Sequence, residues 1–401
     1  MTLTGTRERP NPLPARRRGW AATAAIAVVV LSGCSSPDPI APNAPGTGSG
    51  SSNGSGGGQV PSTPGSSENA PPATDPGGAA LAGQLTVTGT VVEGLSSPWS
   101  MALLPDGTVL LSERDTAAIK LINDGEVSMV GTVANVQPGG EGGLLGIAVA
   151  PTFEQDRYLY AYYTSATDNR IVRMKYNGSG ADGGSLGEQE VLLDGIPKSF
   201  IHNGGRIKFG PDGMLYAGTG DATLQDEAQD EDSLAGKILR LSPDGEPAEG
   251  NPLGDNPVYS LGHRNVQGLA WDSAGRLWAS EFGPDVDDEL NLVEPGNNYG
   301  WPDVTGAPGA EGFVDAQVVW PSTATSSPSG MTIVDDVAYI GGLRGQRLWE
   351  VPLNDGAAGN PISHFRDEYG RLRDVITGPE GALWVATDGA ENQRILGVEG
   401  R

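Results

Sequence analysis

From about residue 85 to the C-terminus, apolar runs of four or five residues alternate with turns rich in Asp, Gly and Pro, and one two-part unit recurs six times. The unit opens with a turn such as Pro105-Asp106-Gly107, Pro211-Asp212-Gly213 or Pro379-Glu380-Gly381, followed by a short apolar strand. Those first strands are predicted at 108–112, 158–162, 214–217, 276–279, 337–340 and 382–385. A second, alternating strand follows each, at 118–122, 170–174, 237–241, 289–293, 347–351 and 394–398. Asp-Gly turns flanked by β-branched and aromatic residues at alternate positions are a hairpin signal. Almost no stretch carries a helical period. Six hairpins spaced 45 to 62 residues apart predict an all-β fold, a six-bladed β-propeller of four-stranded antiparallel blades. A sandwich or a β-solenoid is the alternative that so many short strands allow.

In a propeller, the loops that leave the first strand of each hairpin gather on one face around the axis. Here they carry Glu113-Arg114-Asp115, Asp168-Asn169, Gly220-Asp221, Glu281 to Pro284, Gly342-Leu343-Arg344 and Asp388. Polar loops on a rigid apolar scaffold are where sites are built, although loops are polar for other reasons too.

The N-terminal part reads differently. Arg16, Arg17 and Arg18 precede an apolar run from Trp20 to Leu31, which is too short for a permanent span and ends at Leu31-Ser32-Gly33-Cys34. The pattern resembles a bacterial lipoprotein leader, with residues 1–33 removed and Cys34 diacylated. Residues 34–84 are Gly, Ser, Pro, Asn and Ala with few bulky apolar side chains, a composition expected of a disordered tether. Residues 85–401 are then the folded domain. Export to the outer face of the cell membrane, held there only by the lipid, is the resulting expectation.

Cys34 is the only cysteine, which excludes an intrachain disulfide, a thiolate zinc site and a cysteine redox pair. Beyond Cys34 the chain holds 20 basic and 49 acidic residues. Such a polyanion is a poor partner for nucleic acid or anionic lipid.

Four segments interrupt the repeat with candidate chemistry. His202-Asn203-Gly204-Gly205-Arg206 places one of only three histidines in a glycine-rich loop. It is either a structural hydrogen-bonder or a side chain able to take a proton near neutral pH. Gly262-His263-Arg264-Asn265-Val266-Gln267-Gly268 offers several donors to a planar anion. The stretch from Glu281 to Glu289 holds five carboxylates in nine residues, a hard-oxygen supply suited to calcium or simply a solvated acidic loop. Arg371 and Arg373, two apart on one strand, share a side. They read as a carboxylate clamp with Arg344 and Arg264, or as salt-bridge partners of acidic loops.

Taken in order, the segments Gly94 to Trp99, Gly142 to Gly146, His202 to Arg206, Gly262 to Gly268, Asn297 to Pro302 and Arg371 to Asp374 resemble the glucose/sorbosone dehydrogenase family. This family comprises the soluble quinoprotein glucose dehydrogenases and aldose sugar dehydrogenases. The resemblance implies a six-bladed propeller that binds pyrroloquinoline quinone (PQQ) and calcium and oxidises an aldose at its anomeric carbon to the lactone, passing electrons to an external acceptor. It implies His202 as general base and Arg264 and Asn265 at the quinone oxygens. Arg371 and Arg373 would hold cofactor carboxylates, and Trp320 would lie against the cofactor ring. The carbonyls of Gly283 and Pro284 would sit on a calcium, and Glu289 with the carbonyl of Tyr299 on a second one. Three positions depart from the family pattern: Glu141 stands for a glutamine that touches the cofactor, Arg344 for a lysine, and Phe282 for a polar residue. A calcium-dependent lactonase-type hydrolase and a non-catalytic binding propeller on the cell surface are the competing readings.

Overall fold

Each predicted hairpin forms the middle of an antiparallel sheet in the computed structural model, which describes residues 84–178, 183–389 and 392–400. The leader, Cys34 and nearly all of the tether lie outside the described residues. The turns are built as their residues require. Asp106 Oδ1 accepts the amide of Thr108 at 3.1 Å and Asp212 Oδ1 that of Met214 at 3.1 Å. The following Gly107 and Gly213 take φ of 87° and 77°, a region open to glycine at little cost.

The first blade comprises Pro98–Leu103, Val109–Glu113, Ala118–Asn123 and Glu126–Thr132. Leu144–Val149, Tyr158–Thr164, Asn169–Asn177 and Ser185–Ile196 make the second, and Ile207–Phe209, Leu215–Gly218, Lys237–Leu241 and Val258–Leu261 the third. The fourth is Val266–Trp271, Leu277–Glu281, Asp288–Val293 and Val318–Trp320. In the fifth, Pro328–Val334, Val337–Gly342 and Arg347–Asn354 carry two short outer pieces, Ala357–Ala358 and Ile362–His364. The sixth sets Arg371–Thr377, Leu383–Asp388 and Gln393–Gly400 beside the first strand of the domain, Leu85–Leu95.

That last pairing closes the ring. Leu85 lies opposite Gly400 and Leu95 opposite Gln393, so the fourth strand of the last blade comes from the other end of the domain. The hairpin pattern shows six pairs but not this exchange, because the partners are some three hundred residues apart.

The innermost strands of the six blades follow one another around the axis. Each blade is covered on both faces by its neighbours, so its inner and central strands are buried along their length rather than on alternate residues: all five residues of Val109–Glu113 are buried. An apolar cluster fills each gap between blades. Outer strands such as Ser185–Ile196 remain largely accessible. Among the described residues, helix is confined to one turn, Phe153–Asp156, and two 3-10 turns.

A buried cation locks one functional loop to this scaffold. Lys237 is 0% exposed, and its ammonium donates to the carbonyls of Glu227 at 2.7 Å, Ala228 at 3.1 Å and Ala235 at 2.7 Å. Burial pushes its pKa down to about 8. The segment it grips begins just after Asp221, a residue of the site described below. Lys237→Met keeps the stem but strands three carbonyls. It should destabilise the protein by about 2–3 kcal/mol in guanidinium unfolding; a change under about 0.5 kcal/mol would show that the carbonyls find other donors.

Candidate active site

The loops predicted to gather do so. A cavity of about 230 Å³ opens among Glu141, His202, Arg264, Gly283, Arg344 and Arg371, with Phe282, Pro284 and Asp288 also in its wall. A narrower recess of about 90 Å³ continues it toward the axis, past Trp99, Gln267 and Arg373. The two share Glu141, Phe282, Leu343 and Arg371.

His202 is held in a rare conformation, with φ of 57°. Its loop is pinned by Asn203, whose carbonyl accepts from the Tyr162 hydroxyl at 2.9 Å and whose side chain bonds Ser199 and Asn169. Gly220 allows the neighbouring loop to pass: a Cβ there would lie 1.9 Å from the His202 carbonyl oxygen. The residue that follows, Asp221, is fully buried, and its Oδ1 lies 2.8 Å from His202 Nδ1. Burial works to raise the Asp221 carboxyl, but hydrogen bonds from His202, the Thr223 amide and the Trp301 indole outweigh it and hold its pKa below the ordinary value. An ionised Asp221 fixes a proton on Nδ1, so in the neutral ring the lone pair lies on Nε2.

Glu281 organises the donors on the other side. It accepts from His263 Nδ1 at 2.9 Å, from the Asn265 amide at 3.2 Å and, in a very short contact, from the Arg264 amide. Arg264 Nη1 donates to the Phe282 carbonyl at 3.1 Å, and its guanidinium stands 5.3 Å from the Trp301 ring. Burial lowers its pKa, opposed by Asp221, Glu281, Glu141 and Asp288. Asn265 Oδ1 accepts from the Gly204 amide at 2.9 Å. Arg264 Nε and Asn265 Nδ2 are both buried without a hydrogen-bond partner. Arg264 lines the cavity, so its orphaned donor is one that an anionic or carbonyl ligand there would complete, whereas Asn265 stands behind the wall, bonded to Gly204.

Arg371 and Arg373 both reach the recess and share Asp388: Arg373 Nη2 lies 2.5 Å and Arg371 Nη2 3.6 Å from its Oδ2. This is the salt bridge of the sequence reading, two cations against one carboxylate. Arg344 Nη1 donates to Thr323 at 3.2 Å. Glu141 points one oxygen at the His202 amide at 2.7 Å, so the departure from glutamine braces the loop of the candidate base.

Asn265, Trp320, Glu289 and Tyr299 are not in the cavity wall. Trp320 pairs with Asp288 in the strand register and packs against Trp349 at 5.6 Å in the core between blades four and five; Thr323 and Ser327, just beyond it, line the cavity instead. Glu289 faces Glu281 across the ladder and accepts from the Gly306 amide at 2.6 Å and from Asn291 at 3.0 Å. Burial and the Glu281 charge push its pKa up to about 8. Tyr299 stacks on His263, and its hydroxyl donates to the Leu292 carbonyl at 2.7 Å.

The five carboxylates from Glu281 to Glu289 do not converge. Asp287 takes the Thr305 hydroxyl, and Asp288 takes the amides of Gly283 and Ser327. Among the described residues no three acidic, histidine or cysteine side chains are grouped to hold a metal. The carbonyls of Gly283 and Pro284, bordering the cavity, accept no hydrogen bond among the described residues. Asp221 and Trp99 were not singled out by the sequence as site residues, while Gln267 appeared there as a donor of the 262–268 segment and Asp288 as one carboxylate of the acidic run. Asp221 was visible there only as one of six polar loop tips.

Comparison with known proteins bears on this arrangement. Residues 95–396 match the family model described as Glucose / Sorbosone dehydrogenase. The PQQ-bound aldose sugar dehydrogenase of Streptomyces coelicolor superposes with a TM-score of 0.76 at 49% identity, covering 80% of this chain and 99% of that one. The aldose sugar dehydrogenase of Escherichia coli is 30% identical over 73% of this chain and 88% of its own length. Quinoprotein glucose dehydrogenase B of Acinetobacter calcoaceticus is 36% identical over 56% of this chain and 54% of its own. With a fold, a loop arrangement and a family match that agree over the whole propeller, the chain belongs to the glucose/sorbosone dehydrogenase family of oxidoreductases.

Proposed function

We propose that this aldose sugar dehydrogenase oxidises its sugar at the anomeric carbon with PQQ and calcium in the cavity, and that His202 is the general base. The observation that carries the reading is the Asp221–His202 pair sharing a cavity wall with Arg264, whose Nε donor is unpartnered. That donor, with Arg344, Arg371 and Arg373, suits a flat polycarboxylate bearing carbonyl oxygens. The free carbonyls of Gly283 and Pro284 suit calcium, which takes neutral oxygen ligands readily. When bound, the quinone supplies a two-electron acceptor and the ion a Lewis acid.

The chain's own part is proton handling and charge placement. His202 Nε2 takes the proton of the anomeric hydroxyl while the anomeric carbon loses a hydride, and the sugar leaves as the lactone. Asp221 keeps the imidazole in the required tautomer and stabilises the imidazolium that forms. Arg264 offers its charge where negative charge develops. Glu141 is offset by Arg264 and Arg114, both of which feel its charge. A second cation beside Glu289 would relieve the cost of a buried carboxylate facing Glu281, which supports the calcium expected there with the Tyr299 carbonyl.

The lactonase alternative needs acidic side chains converging on a metal and has no use for four arginines. The dispersed carboxylates and the family match favour the dehydrogenase.

Export and anchoring are part of the proposal: Cys34 carries the lipid, and an external electron acceptor reoxidises the cofactor.

His202→Ala should retain quinone binding but reduce sugar-dependent dye reduction by about 10²–10⁴-fold. Full activity would remove His202 from the mechanism. Arg371→Met should weaken quinone binding about tenfold or more in an absorbance titration of protein with calcium; unchanged affinity would take Arg371 out of the cofactor site. Cys34→Ser should move the protein from the membrane fraction to the soluble fraction, read by immunoblot, and an unchanged distribution would rule out the lipid anchor.

A further inference from the structure

The axial channel holds a second cavity of about 350 Å³, walled by all six innermost strands. It shares no residue with the wall of the catalytic cavity or its recess. Arg206 lies between them. Its Nε donates to the Gln267 carbonyl at 2.8 Å and its Nη1 to Ser100 at 3.0 Å, while Nη1 also pairs with Asp374 Oδ1 at 3.1 Å. The guanidinium covers the Trp99 ring at 4.3 Å, and Trp99 and Gln267 line the recess on the other side. Gly330 leaves room for this plug, since a Cβ there would lie 1.9 Å from Asp374 Oδ1 and 2.7 Å from Arg206 Nη2.

Arg206 is 4% exposed and borders the second cavity, yet its Nη2 has no hydrogen-bond partner. Lys208, two residues along the same strand and therefore on the same side, lines the cavity as well. Asp374 is already committed, with Oδ1 to Arg206 and Oδ2 to the Met101 amide at 2.8 Å. These three are the only ionisable groups in the wall; the other four strands contribute Ser100, Thr332 and apolar residues such as Met101, Ile147, Leu269 and Met331.

We infer that this cavity is a binding site for a small organic monocarboxylate, its carboxylate held by Arg206 Nη2 and the Lys208 ammonium and its body lying against the apolar wall. Two cations against one carboxylate leave a single uncompensated positive charge, which matches a monoanion. A dianion such as phosphate would meet Asp374 and an apolar surface that cannot solvate it. Burial, with Arg206 nearby, pushes the Lys208 pKa down to about 8 despite the opposing pull of Asp374, so the ammonium is available at neutral pH and is lost as pH rises. A bound anion moves that loss to somewhat higher pH. Through Arg206 the ligand would be linked to Gln267, whose side chain donates to the Gly204 carbonyl at 3.2 Å, two residues from His202.

The test is calorimetric titration of the full chain, without quinone or calcium, with isobutyrate and its neutral amide. Saturable binding of isobutyrate and none of isobutyramide is expected, with affinity falling as pH passes above about 8. Lys208→Met should weaken binding by roughly tenfold or more and Lys208→Arg should preserve it, each variant checked by its thermal melt. Arg371→Met, on the catalytic side, should leave isobutyrate binding unchanged. Absence of saturable binding, equal binding of the amide, or full affinity in a folded Lys208→Met variant would overturn the proposal. Loss of binding in Arg371→Met would do so too, because the carboxylate would then sit in the catalytic cavity.

Discussion

The antiparallel pairing of Leu85–Leu95 with Gln393–Gly400 is the constraint on which the molecule depends. Five blades are built from consecutive strands, but the sixth has only three of its own and takes its outer strand from the start of the domain. Closure also fixes where every loop tip lies, because each innermost strand is wedged between two others around the axis. His202 comes from the connection between the second and third blades, Arg264 from that between the third and fourth, Arg344 from within the fifth and Arg371 from the start of the sixth. Their convergence is a property of the ring rather than of any local segment. The entropic cost of joining strands so far apart is met by many buried apolar contacts at once, which ties the site to the cooperativity of the whole fold.

Within that ring, buried carboxylates act as fasteners. Glu281 gathers His263 and the amides of Arg264 and Asn265; Asp221 joins His202 to Trp301; Asp288 ties Gly283 to Ser327; Asp374 ties Arg206 to Met101. Each spans two different loops or strands, and each is desolvated, so its charge is tolerable only with its full set of donors. Rigid placement of loops by buried ionic networks is what a site needs if its donors are to be set before a ligand arrives.

The fold was legible because turn chemistry and strand pattern are local. The predicted strand at 237–241 coincides with Lys237–Leu241, and the one at 118–122 falls one residue short of Ala118–Asn123. The outer strands were not legible: Ser185–Ile196 is polar and half exposed, and the partner of Leu85–Leu95 is invisible to any local window. For the site, residue type singled out His202, Arg264 and Arg371 and position in the repeat the loop of Arg344, whereas Glu141 came only from the family resemblance; the structure brings all five to one cavity. Residue type and position were not enough for Trp320 or for the acidic run, because which side of a strand meets the cavity depends on register with the neighbouring strand. Trp320 opposite Asp288 faces the core, and Glu289 opposite Glu281 lies outside the cavity wall, accepting from Gly306 and Asn291.

Glu141 shows how such a network can absorb a change of charge. Viewed alone, a carboxylate in place of an amide near a polyanion site is unfavourable. In the structure one oxygen accepts the His202 amide, an interaction that an amide side chain could make through its carbonyl alone and without charge assistance. The extra negative charge is set against Arg264 and Arg114, whose guanidiniums it influences directly. Locally, then, the carboxylate braces the loop that carries His202. That loop keeps His202 in the left-handed region, a conformation that costs on the order of 1–3 kcal/mol unless its surroundings enforce it, and the Glu141 carboxylate is one of the groups that enforce it.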